Sequence, residues 1–441
     1  MSRTVFLLLG CLAFGLVSSE RIRYDNYRVY TVEPRSDADL SILRELDGTS
    51  DSLKFLDAVE VINKDVNIVV APHKEPDFVQ VLKENGVSFK LVEENLQRHL
   101  DEELAITPRA GLKYDWTRYH TLEETYDWLR DLSKKFPVVE LLVGGKTYEG
   151  REILGVKISY GPGKKGIFVE GGIHAREWIA PATVTYITNE LLTSKDPAVR
   201  QIAEGYDWYI FPHANPDGYV YTHKTNRLWR KTRARYGMCF GADPNRNWDF
   251  YWMSVGASNN PCSDTFAGAA PFSEIETRTL SEYIASLKGK IHTYLSFHAY
   301  SQLLLFPYGH TKEHAPNHND MQRIGNEAAR ALAKRYGTQY IVGNIYETIY
   351  PASGASIEWA YGKLNVPLVY TYELRPRNQW NGFILPPEQI VPVGEETMDS
   401  VVALLKEANK LGYYKEFILN FHYISIKLYK FQMMKSLLSK F

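Results

Sequence analysis

After residue 110 the chain alternates short apolar runs with helix-periodic stretches. Residues 167–171, 208–212, 291–298 and 368–374 read as buried strands, and residues 181–192 and 396–411 as helices. Strands apolar on both faces need cover on both sides. The expected fold is therefore an α/β domain whose mixed, mostly parallel sheet is covered by helices on both faces. The chain has 441 residues, 44% of them hydrophobic, enough for such a core and at least one further unit. Lys and Arg number 51 against 52 for Asp and Glu. Without a basic excess, nucleic acid is not an expected partner.

The longest apolar run, residues 5–17, follows Arg3 and precedes Ser18-Ser19-Glu20, the pattern of a secretory signal peptide spanning residues 1–19. Thirteen residues are too few to span a bilayer as a helix, and no other run approaches eighteen, so no integral membrane segment is expected. Removing the leader takes Cys11 with it. The secreted, extracellular chain keeps Cys239 and Cys262, expected to form one disulfide worth about 3 kcal/mol.

Residues 20–109 differ from the rest in charge. They hold 19 acidic and 12 basic side chains, a net of −7, whereas residues 110–415 sum to +2 and residues 416–441 to +3. Opposite balances favour docking of the first segment on the second. In the first segment, strands near residues 27–32, 53–55, 66–70 and 88–92 alternate with two helices. One is capped by Ser36 and carries Leu40, Leu43 and Leu46; the other is opened by Pro76, carries Phe78, Val79 and Leu82, and ends at Asn85-Gly86. The order βαββαβ predicts a small ferredoxin-like α+β unit. The charged stretch 93–103 leads to Thr107-Pro108-Arg109-Ala110, which reads as an exposed connector; Arg109 behind its proline is the expected cleavage point for a trypsin-like protease, and Arg98 the alternative. The tail, residues 416–441, reads as a terminal extension of unknown role.

His-x-x-Glu occurs four times, at His99/Glu102, His120/Glu123, His174/Glu177 and His310/Glu313. Only His174/Glu177 lies at the end of an apolar strand, after Gly171-Gly172, where open α/β sheets form their binding crevices. His298 closes a second apolar strand 121 residues after Glu177 and is the expected third ligand. Two His and one Glu with an open fourth position make a catalytic zinc site. The rival is His310-Thr-Lys-Glu313-His314, which needs a continuous helix; Gly309 and Pro316 beside it favour a turn.

The motifs Gly-Gly-Ile-His174-Ala-Arg176-Glu177-Trp, Asn226-Arg227-Leu-Trp-Arg230-Lys, Asp243-Pro-Asn245-Arg246-Asn-Trp, His298-Ala-Tyr-Ser-Gln, Tyr350-Pro-Ala-Ser-Gly and Tyr372-Glu373-Leu-Arg375 resemble the zinc metallocarboxypeptidases of the carboxypeptidase A/B family in their secreted proenzyme form. The resemblance covers residues 20–415. It implies one zinc ion on His174, Glu177 and His298, Glu373 as catalytic carboxylate and Arg230 as oxyanion partner. It also implies Asn245, Arg246 and Tyr350 as the grip on a peptide's terminal carboxylate, Arg176 and Arg227 as outer substrate contacts, and Asp243 as acceptor for His174. Ile357 is the implied base of the side-chain pocket, with Ile345, Ile349, Ala352 and Thr371 as its walls. That lining implies aliphatic or aromatic terminal residues; Glu358 facing inward would instead imply a basic preference. Pro376 stands where the family usually carries an aspartate. The expected protein is a zymogen whose own propeptide, residues 20–109, inhibits the catalytic domain, residues 110–415, until a trypsin-like protease frees it to act on peptide substrates. A catalytically silent zinc- or peptide-binding homologue is the alternative.

Overall fold

The computed structural model describes residues 21–48, 52–104, 113–377 and 379–414. The expected leader, the cleavage point Arg109 and the extension 416–441 lie outside the described residues.

In the N-terminal unit, β1 (Arg28–Glu33), α1 (Asp37–Leu46), β2 (Leu53–Phe55), β3 (Val66–Val70), α2 (Glu75–Glu84) and β4 (Ser88–Glu93) form an antiparallel sheet of order β2-β3-β1-β4, the ferredoxin-like arrangement. Ser36 caps α1 by accepting from the Asp39 N–H at 3.2 Å. Pro76 lies in the first turn of α2, where its missing N–H costs nothing. One face of the sheet packs on both helices through Tyr30, Val32, Leu43, Ile68, Phe78 and Leu82. Val29, Leu56 and Val69 instead join the core of the following domain. The charged stretch contains a helix that its composition does not announce: α3 (Leu96–Leu104) buries Leu96 and Leu100, one turn apart, together with Glu103. Its abundance of charge masked that apolar pair.

The second unit comprises α4 (Leu122–Lys135), β5 (Val139–Lys146), β6 (Glu152–Ile158), β7 (Gly166–Gly171), α5 (Ile179–Thr193), α6 (Pro197–Gly205), β8 (Asp207–Phe211) and α7 (Pro216–Lys224). The short pair β9 (Arg235–Tyr236) and β10 (Cys239–Phe240), α8 (Ile275–Ser286), β11 (Ile291–Ala299), β12 (Leu303–Phe306), α9 (His318–Tyr336), β13 (Ile341–Asn344), α10 (Ile345–Thr348), α11 (Ser356–Leu364), β14 (Leu368–Leu374) and α12 (Ile390–Lys410) complete it. The eight-stranded sheet runs β13-β12-β14-β11-β7-β8-β6-β5, with β14, β11, β7 and β8 mutually parallel at its centre. Alternate side chains serve opposite faces. Ile167, Val169, Leu295, Phe297, Tyr370 and Tyr372 pack beneath α5, α9 and α12, whereas Phe168, Tyr294 and Val369 pack with α8 and α11. Each such side chain, fully buried, contributes roughly 1.5–3 kcal/mol.

Thr121 and Glu124 form a reciprocal capping box at the start of α4. The expected disulfide joins Cys239 to Cys262, with Cα atoms 5.3 Å apart. Among the described residues no helix is long and apolar enough to cross a membrane.

Candidate active site and metal centre

The site forms at the carboxyl ends of β7, β11 and β14. Parallel register pairs His298 with Glu373 across β11 and β14, so both side chains leave the sheet on the same face. β7 delivers His174 through a tight turn in which Gly172 adopts φ +64°, and a Cβ there would sit 3.1 Å from the Pro212 carbonyl. Glu177 follows three residues later, just before α5.

His174, Glu177 and His298 are all buried, and one ligand atom from each lies within 4.8 Å of the others. The Nδ1 atoms of the two histidines face each other at 3.1 Å, and each also faces Glu177, at 2.8 Å from His174 and 3.2 Å from His298. Two imidazole nitrogens and one carboxylate converging in this way fit a divalent zinc ion. The outward nitrogens are held as well: His174 Nε2 meets Asp243 Oδ1 at 3.0 Å and His298 Nε2 meets Ser296 Oγ at 3.0 Å. Burial works against the Glu177 charge, but His174 and His298 outweigh it and hold its carboxyl well below the usual range.

Asp243 is the hub beside this centre. Its Oδ1 also accepts from the Asn245 N–H at 2.8 Å, and its Oδ2 accepts from Arg230 Nε and Nη2 at 3.1 and 2.8 Å. Burial opposes the Arg230 charge, yet Asp243, Tyr350 and Glu177 keep the guanidinium protonated. Burial raises the Glu373 carboxyl against the pull of His298, Arg230 and Lys64; a bound cation would lower it again.

A cavity of about 610 Å³ opens over this centre and is lined by His174, Glu177, Arg230, Tyr350 and Glu373. Arg246 lies behind the Tyr350 ring, with Nε and Nη1 donating to the carbonyls of Gly256 and Asn245 at 2.7 and 3.0 Å. Ile345, Ala352, Ile357 and Thr371 are buried nearby, and Ile349 is half-buried. Glu358 turns the other way: its Oε1 accepts from the Gly309 N–H at 2.8 Å and meets His310 Nδ1 at 2.8 Å. His310 is thereby engaged and stacks on Tyr251, while His314 stacks on His318, so the His310-Thr-Lys-Glu313-His314 segment forms no metal cluster among the described residues.

The N-terminal unit supplies several residues that sequence inspection did not single out. Lys64 donates to the Ile349 carbonyl at 3.2 Å and sits 5.2 Å from the centre of the Tyr350 ring. Asp57 accepts from the Tyr300 hydroxyl at 2.8 Å, Arg176 donates to the Leu56 carbonyl at 3.3 Å, and Glu103 pairs with Arg227. Single polar residues in a segment already rich in charge carry no local signal of such contacts. Glu170 and Ser296 did carry one, each being polar within an apolar strand.

The zinc carboxypeptidase family model matches residues 125–400, and the carboxypeptidase activation peptide model matches residues 30–103. Zinc carboxypeptidase A 1 of Anopheles gambiae is 55% identical over 410 residues, covering 92% of this chain and 95% of the relative. The protein of the same name from Drosophila melanogaster is 53% identical over 422 residues, covering 93% and 98%. The crystal structure of carboxypeptidase A from Helicoverpa armigera superposes with a TM-score of 0.80 at 30% identity, covering 89% of this chain and all of that one. The chain belongs to the zinc carboxypeptidase family and carries that family's activation peptide ahead of its catalytic domain.

Proposed function

We propose that His174, Glu177 and His298 hold one zinc ion, and that the catalytic domain, freed of its activation peptide, removes aliphatic or aromatic residues from peptide C-termini. The observation that carries this is the register pairing of His298 with Glu373, which sets a carboxylate that is no metal ligand beside the ligand cluster.

When bound, zinc supplies Lewis acidity toward the scissile carbonyl and toward a water. Glu373 takes that water's proton and passes it to the leaving amine. Arg230, oriented by Asp243, donates to the oxygen on which negative charge develops. Asn245, Arg246 and Tyr350 hold the substrate's terminal carboxylate, which restricts the enzyme to the last peptide bond. Arg176 and Arg227 contact residues further along the peptide.

Apolar specificity is supported by Ile357, which packs in one cluster with Ile345 and Ile349, and by the engagement of the Glu358 carboxylate with Gly309 and His310. A Lys or Arg side chain in such a pocket would lose its hydration without gaining a counter-charge. The relatives named carboxypeptidase A 1 agree with this assignment. Residues 1–19 direct secretion, and a trypsin-like protease cuts after Arg109. Assaying the activated protein on blocked peptides ending in Phe, Leu, Lys and Glu, with and without a chelator, tests the proposal. Fastest release of Lys would overturn the specificity, and chelator-resistant turnover would overturn the metal assignment.

A further inference from the structure

We propose that Glu170 is a positioning residue that orients both halves of the site, the metal ligand His298 and the substrate ligand Asn245, through two serines. This rests on the ligand assignments proposed above. Glu170 is the one charged residue of β7 and is fully buried beneath the ligand cluster. Its Oε1 accepts from Ser296 Oγ at 2.9 Å and from Ser356 Oγ at 2.6 Å. A buried carboxylate held by hydroxyls stabilises a fold poorly compared with an apolar side chain of the same size, so its value lies in what the hydroxyls do next.

A serine hydroxyl has one proton. Ser296 gives its proton to Glu170 and can therefore only accept from His298 Nε2, 3.0 Å away. That places the imidazole proton on Nε2 and leaves the Nδ1 lone pair facing Glu177 and His174, the tautomer a metal ligand needs. With a neutral acceptor in place of Glu170, Ser296 could turn and donate to Nε2, moving the proton to Nδ1 and spoiling the ligand. His174 obtains the same result directly from Asp243.

The second serine acts at the other end. With its side chain anchored on Glu170, Ser356 at the start of α11 donates its backbone N–H to Asn245 Oδ1 at 3.0 Å. Asn245 then has its oxygen occupied and its NH₂ group available to a carboxylate. One buried carboxylate thus ties the orientation of a metal ligand to that of a substrate ligand.

The test uses the activated protein and its Glu170→Gln, Ser296→Ala and Ser356→Ala variants. Zinc affinity is measured by chelator competition, the visible spectrum is recorded after cobalt substitution, and KM and kcat are measured separately. Glu170→Gln and Ser296→Ala should each weaken zinc binding by about tenfold or more and alter the cobalt spectrum. The double variant should be no worse than the weaker-binding single one, because both changes break the same chain. Ser356→Ala should leave zinc affinity intact and raise KM severalfold. Should Glu170→Gln fail to fold, Ser296→Thr, which keeps the hydroxyl, must restore the affinity that Ser296→Ala loses. Zinc affinity within twofold of the parent in Glu170→Gln, or effects that multiply in the double variant, would overturn the proposal alone. Undiminished zinc binding by His298→Ala would overturn it together with the metal assignment.

Discussion

The Arg227 guanidinium and the Glu103 carboxylate meet in two parallel hydrogen bonds, at 2.6 Å from Nε and 2.8 Å from Nη2, with both side chains about 1% exposed. The pair joins the last helix of the activation unit to the catalytic domain. Arg227 also donates to the carbonyls of Arg176 and Phe383, so it is fixed from both sides. Glu103→Ala would leave a buried cation with carbonyl partners only, a change that costs about 3–5 kcal/mol in comparable pairs. The uncleaved variant should melt several degrees lower and hydrolyse short peptides faster than the parent. Unchanged turnover would mean that this pair does not hold the cover in place.

Lys64 provides a second hold. Its half-buried side chain feels the charges of Asp57 and Glu373, and burial lowers its pKa against their attraction. A charge-assisted hydrogen bond to the Ile349 carbonyl contributes about 1.5–3 kcal/mol. Lys64→Met should weaken docking by about ten- to a hundredfold and raise the activity of the uncleaved chain. After cleavage and removal of the activation unit, the variant and the parent should have equal kcat and KM.

Glu373→Gln keeps the size of the side chain and removes the proposed base. Turnover should fall by about 10²–10⁴-fold while one equivalent of zinc remains bound. Full activity in this variant would exclude Glu373 from the proton transfers, and loss of zinc would make it a ligand.

Ile357→Asp should shift the pocket toward Lys and Arg by supplying the missing counter-charge, read as the ratio of kcat/KM for peptides ending in Arg and Phe. Glu358→Gln should leave that ratio near its starting value, since the carboxylate already serves Gly309 and His310. A large loss of activity toward basic ends in Glu358→Gln would reverse the two roles.

Docking of the activation unit should weaken as pH rises through 6. Asp47 lies against Ser263 of the catalytic domain, and burial, reinforced by Asp264 and offset in part by Lys54 and Arg176, pushes its carboxyl up to about 6. In the undocked unit that group titrates near its ordinary value, so the docked form binds the proton more tightly. Docking is therefore favoured at pH 4, loses up to about 3 kcal/mol as the pH rises from about 4 through 6, and depends little on this group above that. Asp47→Asn should flatten this dependence, followed as uncleaved-chain activity from about pH 4 to 7.

Local chemistry alone marked out the elements that the fold then assembled. Short apolar runs placed β2 and β3 of the activation unit, and the Ser36 cap with leucines on one face marked α1. Apolar runs likewise located the central strands, and two cysteines left after the leader could pair only with each other. Helix α3 was hidden because its apolar content is three leucines, Leu96, Leu100 and Leu104, spaced through a charged stretch. The candidate ligands could be named from the sequence by their positions at strand ends, but naming them did not bring them together.

What the sequence by itself determined is which segments become strands and helices and which residues carry metal-binding and proton-transfer chemistry, since period, capping and side-chain type are local properties. Only the tertiary structure decided that β7, β11 and β14 lie side by side, that Glu358 turns toward His310, and that Lys64, Asp57 and Glu103 reach the catalytic domain. Those outcomes depend on which of many buried surfaces meet. The free energy of that choice is spread over contacts between residues tens to hundreds of positions apart, and no short stretch of chain contains it.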